Sequence, residues 1–196
     1  MRREATAAPE RATRVYRPPW RIDVITRSDV PRIVPIADLA RLTASALEAA
    51  GAPAPASIGL ILTDDAELAK LNATHMGQTG PTDVLSFPLL EPDTYPPHAG
   101  RVDRPSCRPA TSFRLPPGRR THLGDVVVSV ERAIAQAESG AGGQTGHVAW
   151  SAADELRLLV VHGTLHVCGW DHSRLAEETA MRSLELEILA RGRRPA

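Results

Sequence analysis

The sequence predicts an α+β fold, a small mixed sheet of about four strands with helices packed against it, and three observations carry that expectation. Short β-prone runs and helical periodicities follow one another without strict alternation and without an internal repeat. The segment Leu158 to Trp170 contains no Asp, Glu, Lys or Arg, so it reads as a central helix buried nearly all round. The chain of 196 residues is long enough for one domain with a real core and short for two.

Residues 1–20 are rich in Arg and Ala and lack apolar periodicity, and they are expected to form a disordered extension. Arg21 to Thr26 follows a Pro-Pro-Trp entry and alternates Ile22 and Val24, the signature of a first strand. Ile36, Leu39, Ala40, Leu42, Ala46 and Leu47 then recur at helical spacing up to Gly51. Ser57 to Leu62 is a second β-prone run. Asp64 with Glu67 three residues on resembles a capping box and starts a helix through Leu68 and Leu71. Val84 to Phe87 is the third strand, entered by the turn Gly80-Pro81-Thr82-Asp83 and stopped by Pro88.

From Glu91 to Arg120 there are seven prolines, six arginines and no periodicity, so 91–120 is expected to be a Pro/Arg-rich insertion without regular structure. Leu123 to Val130 resumes as the fourth strand, its Val126-Val127-Val128 centre buried on both faces. A helix over Glu131 to Glu138, a Gly-rich break at Gly140 to Gly146 and the central helix over His147 to Cys168 follow. Ser173 is expected to cap the last helix, which carries Glu177 and Glu178 in its first turn and Leu184 and Ile188 on one face. The domain is thus read as 21–190, with a basic tail over 191–196.

Net formal charge is zero, so no global field draws the chain to nucleic acid or to a membrane. Lys70 is the only lysine, a skew that with the abundant Ala and Pro reads as compositional bias. Cys107 and Cys168 do not make a disulfide framework, and no apolar run reaches spanning length or forms a signal sequence. These features predict a cytoplasmic protein.

Within the central helix, His162-Gly163-Thr164-Leu165-His166 and then Gly169-Trp170-Asp171-His172 place three imidazoles at positions one, five and eleven of a short segment. Four residues are little more than one turn, so His162 and His166 share a helix face about 6 Å apart along the axis. Gly169 suits a left-handed cap, and a short turn returns His172 toward them. Three neutral imidazoles leave a fourth position for water, the layout of a catalytic rather than a structural zinc. Metzincin proteases use the same spacing with a glutamate as general base, but that position is Gly163 here, so the cage remains and the protease base is missing.

Three segments together resemble the YbeY family of bacterial endoribonucleases: Leu71-Asn72 leading to Pro81-Thr82-Asp83-Val84-Leu85-Ser86-Phe87-Pro88, then Leu123-Gly124-Asp125, then the histidine motif. The resemblance spans roughly Arg21 to Ala190. It implies a zincin-like α+β fold and one Zn2+ per chain on His162, His166 and His172. It further implies a metal-dependent, single-strand-specific endoribonuclease acting in ribosomal RNA maturation, near the 3′ end of small-subunit RNA, and in ribosome quality control. The partners it implies are single-stranded and ribosomal RNA and the small ribosomal subunit, with no DNA and no membrane. The residue serving as catalytic base is left unassigned. Asp171 is read either as orienting a ligand imidazole or assisting proton transfer, or as a cap.

Two features depart from the family pattern. Where the family reads aromatic-Arg-Gly, this chain has His75-Met76-Gly77, so a positive charge is absent; and the insertion is longer than usual. Arg104, Arg108, Arg114, Arg119 and Arg120 are candidates to fold back and supply that charge. Two other functions compete: another zinc hydrolase of amidase or peptidase type, weakened by Gly163, and a non-catalytic ribosome-assembly factor with a structural metal, kept in view by Met76. His75, His98, His122 and His147 are read as isolated surface or strand-edge residues, Cys168 as a small packed hydrophobe and Trp170 as core.

Overall fold

The computed structural model describes residues 10–100, 120–140 and 150–192. Strands β1 (Arg11–Arg17), β2 (Trp20–Thr26), β3 (Ala56–Thr63), β4 (Val84–Pro88) and β5 (Thr121–Ser129) form one mixed sheet ordered β1-β2-β3-β5-β4. The three inner strands run parallel, and each edge strand is antiparallel to its neighbour. The α+β class is as expected, with five strands in place of four.

The extra strand corrects the disordered extension expected over 1–20. β1 pairs with β2 along its whole length, and Arg14 Nε donates to Asp23 Oδ1 across the pair at 3.0 Å. Its arginines fall on both faces of an exposed edge, which hides the alternation that marks a strand and also guards the edge against further pairing. Residues 1–9 lie outside the described residues.

Among the described residues five α-helices pack with the sheet: α1 (Ile36–Ala49), α2 (Asp65–Leu71), α3 (Val130–Glu138), α4 (Ala152–Val167) and α5 (Leu175–Gly192). Asp64 caps α2 by accepting the Glu67 N–H at 2.7 Å, while the Glu67 carboxylate turns to Arg27 instead of closing the box. The chain then widens into a π-turn over Asn72–Met76 and reverses at Gly77, where φ is 65°. α4 begins at Ala152, later than expected, because the Ser151 hydroxyl accepts the Asp154 N–H at 3.1 Å and fixes the start there. Ser173 does not cap α5: its hydroxyl donates to Asp171 Oδ2 at 2.6 Å, and Glu177 takes the Arg174 N–H. The tail expected from 191 begins inside α5, which runs through Gly192.

β2 alternates buried and half-buried residues, and its buried set of Ile22 and Val24 joins Ile58, Leu60, Val126 and Val128 on one sheet face. Leu39, Leu47, Leu159, Leu165 and Ile188 from α1, α4 and α5 cover that face in the main core. Each such side chain contributes about 1.5–3 kcal/mol by leaving water. The opposite face holds a smaller cluster, Leu68, Leu85 and Val127, under α2. Of the insertion, 101–119 lies outside the described residues. Its start is packed, with a 3-10 turn over Pro92–Thr94 and Tyr95 only 3% exposed. Among the described residues no helix is long and apolar enough to cross a membrane.

Candidate metal centre

α4 lies across the sheet so that its last turns face β4, the edge strand. The close approach depends on Gly163, where a Cβ would stand 2.5 Å from Val126 Cγ1 and 2.8 Å from Val84 Cγ2. Ser86 Oγ donates to the Gly163 carbonyl at 2.9 Å and ties strand to helix. The slot read from sequence as lacking a general base is thus a packing contact with no room for one.

His162, immediately before this contact, and His166, nearly one turn after it, point the same way, and the turn after α4 brings His172 to them. The ring centroids are 4.5, 5.4 and 5.0 Å apart, and one nitrogen from each ring lies within 4.8 Å of the others. Burial grades across the three: His162 is 6% exposed, His166 half-buried and His172 exposed.

Two of the rings have their tautomers fixed. His162 Nδ1 is 2.7 Å from Glu185 Oε1, and both side chains are buried. His166 Nδ1 is 2.8 Å from the Trp170 carbonyl. A carboxylate and a carbonyl only accept, so in the neutral rings each Nδ1 carries the hydrogen and each Nε2 keeps a lone pair. Those two Nε2 atoms face each other at 3.0 Å. Two lone pairs so placed repel, and a cation between them removes the repulsion. Nitrogens on a tetrahedral zinc, at about 2.0–2.1 Å from it, stand roughly 3.3 Å apart, so the donor set fits such an ion. Burial first, then His162 and His172, push the His166 pKa down to about 4, which keeps its lone pair available at neutral pH.

Glu185 is the residue that sequence reasoning missed, since it sits on α5 with nothing local to mark it. Asp171 serves the turn: its Oδ1 accepts the His172 backbone N–H at 2.8 Å and its Oδ2 the Ser173 hydroxyl. Hydrogen bonding from Ser173 holds its carboxyl below the usual range. His75, His98 and His122, expected from sequence to be isolated, are not: the His75 ring meets Phe87 edge-on with centroids 5.2 Å apart. His98 stacks on Trp170, and His122 lies 3.2 Å from both Ser57 Oγ and Asp125 Oδ1. His147 and Cys107 lie outside the described residues. Cys168 is buried, and burial pushes its thiol up to about 12.

Beside the three imidazoles is a cleft of about 580 Å³ walled by Thr82, Asp83, Val84, Leu85, Ser86 and Pro88. Residues of the second motif segment, Thr82 to Pro88, build that wall. Buried Asn72 donates to the Gly80 carbonyl at 2.9 Å, setting the turn into β4, and Asp83 accepts from the Val84 N–H and from Gln136 Nε2. A family sequence model described as Endoribonuclease YbeY matches residues 28–193. The chain belongs to the YbeY endoribonuclease family. An Endoribonuclease YbeY of Roseiflexus sp. (strain RS-1) is 40% identical over 69% of this chain and 69% of its own length. Those of Dehalococcoides mccartyi (strain BAV1) and Thermobifida fusca (strain YX) are 33% and 38% identical over 83% and 88% of this chain, and 90% and 94% of their own.

Among the described residues no lysine or arginine lines the cleft. Met76, standing where the family's arginine was expected, is 46% exposed at the end of the π-turn. Of the arginines considered as replacements, Arg120 donates to the Pro19 carbonyl at 2.6 Å, at the β1–β2 turn. Arg104, Arg108, Arg114 and Arg119 lie outside the described residues.

Proposed function

We propose that this chain is a metal-dependent, single-strand-specific endoribonuclease of ribosomal RNA maturation, acting in the cytoplasm on the small ribosomal subunit. Its functional unit is the domain 21–190 with β1 added. One zinc per chain would be held by His162, His166 and His172. The observation that carries the reading is the pair of opposed Nε2 lone pairs, set by Glu185 and the Trp170 carbonyl, in a chain of the YbeY family.

A bound zinc supplies Lewis acidity beside a phosphodiester. The protein's own groups orient the RNA. Asp83 and Leu89 exchange backbone bonds with β5, through Ser129 N–H to the Asp83 carbonyl and Leu89 N–H to the Leu123 carbonyl. By antiparallel alternation the Ser86 N–H and carbonyl therefore point out of the free sheet edge, where Ser86 lines the cleft. They offer a donor and an acceptor to a strand of RNA laid along β4. No basic side chain lines the wall among the described residues, so there a bound metal and this backbone donor would meet the phosphate.

The test is cleavage of a single-stranded RNA carrying the 3′ end of small-subunit ribosomal RNA. Purified protein is expected to cut it, to stop with chelator and to resume with zinc. Chelator-insensitive cleavage, or full activity in His166→Ala, would overturn the reading.

A further inference from the structure

The three candidate ligands are not equally supported. Glu185 anchors the His162 ring and the Trp170 carbonyl anchors the His166 ring, but among the described residues no hydrogen bond holds the His172 imidazole. Its placement depends on the main chain of the turn Gly169 to Asp171.

That turn is covered residue by residue by the start of the insertion. Gly169, left-handed at φ 83°, faces Pro92, whose Cβ would be 3.3 Å from a Cβ at Gly169, and the Tyr95 ring lies just beyond. The His98 ring stacks on Trp170 with centroids 4.1 Å apart and planes 9° from parallel. Gly100 presses on the same indole so closely that a Cβ would stand 2.0 Å from Cε3, and its carbonyl accepts the Asp171 N–H at 2.9 Å. Tyr95 seats this segment in the main core.

We propose that Pro92 to Gly100 is a strap that positions His172, with His98 and Gly100 as positioning residues, and that it also steadies His166 through the Trp170 carbonyl. The inference rests on the metal reading above. Stacking and the Gly100 carbonyl fix the height and direction of the turn, and the next residue inherits both. An insertion with no periodicity thereby supplies support for the most exposed ligand.

The experiment compares wild type, His98→Ala, His98→Phe, Gly100→Ala and Val15→Ala, the last on the far edge strand as a stability control. Zinc affinity is measured by competition with a chromophoric chelator, and the visible spectrum of the cobalt-loaded proteins reports coordination number. Loss of such support costs about tenfold to hundredfold in metal affinity. His98→Ala and Gly100→Ala are expected to weaken zinc by that amount and to shift the cobalt spectrum toward that of His172→Ala. His98→Phe keeps a flat ring on Trp170 and is expected to restore both, while Val15→Ala changes melting temperature alone. If His98→Ala lowers melting temperature at unchanged zinc affinity, or if His98→Phe is as weak as His98→Ala, the strap does not position His172. Failure of the wild type to bind zinc in the same titration strikes the metal reading instead.

Discussion

The last turns of α4 and the turn that follows carry the same side chain for opposite structural reasons. His162 and His166 belong to a helix buried on nearly every side, and their rings are locked by a carboxylate and a carbonyl. His172 is exposed on a turn, and its backbone is what the surrounding residues hold. On the helix a ligand is fixed by its own contacts; on the turn it is fixed by the path of the chain. Perturbations of the two regions should therefore differ in kind.

The largest contrast is between His162→Ala and His172→Ala. His162→Ala is expected to lose the metal and to destabilise the metal-free protein by about 1–3 kcal/mol, because Glu185 is left buried without its partner. His172→Ala is expected to weaken metal binding and leave metal-free stability within about 0.5 kcal/mol. Elemental analysis and urea denaturation read the two effects, and equal stability losses would erase the distinction.

Acid provides a second separation. The folded His166 pKa is about 4, below the value of about 6.5 for an unfolded histidine, so the unfolded chain takes the proton first. The stabilisation from the neutral ring is fully present above pH 6.5 and is lost as pH falls toward 4. The loss is on the order of 3 kcal/mol in the metal-free protein. His166→Phe should flatten that part of the stability profile, and a profile unchanged by the substitution would show that another group titrates there.

Gly163→Ala tests the packing of the helical half. Its methyl would meet Val126 and Val84, and overpacking of this kind costs about 1–3 kcal/mol. The expected readout is a lower denaturation midpoint at unchanged slope. Gly163→Glu should yield no peptidase activity, only a larger loss. The smallest effect is that of Glu185→Gln, whose amide oxygen still accepts from His162 Nδ1 without the charge. Zinc affinity should fall by roughly tenfold, with little change in fold. A loss as large as that of His162→Ala would mean that Glu185 does more than orient the ring.

The helical half of the site was legible in the sequence because its information is local. Two histidines four apart on an uncharged run specify a shared face, and Asp64 with its neighbours marks a helix start as clearly. The strap was not legible: Pro92 to Gly100 has no period, and its contacts with Gly169, Trp170 and Asp171 exist only once the turn is formed. Glu185 was hidden for a similar reason, being one glutamate among several on a helix of mixed polarity. Gly163 was legible only as the absence of a base, because the sequence shows what a glycine lacks and not what lies 2.5 Å away. β1 escaped notice because an exposed edge with arginines on both faces carries no alternation.

One arrangement described above bears on how the protein assembles. All three imidazoles, the Trp170 carbonyl and Glu185 lie between Ala152 and Gly192, on two consecutive helices and the turn that joins them. The cleft wall comes from β4, far earlier in the chain, and the strap from the residues just after it. Contacts close in sequence form before distant ones, since short loops cost less entropy to close. The candidate ligand set is therefore expected to form in the fast, local part of folding, and the cleft wall in the slow, non-local part. A complete chain refolding from the unfolded state is expected to gather its three imidazoles before it completes the wall beside them.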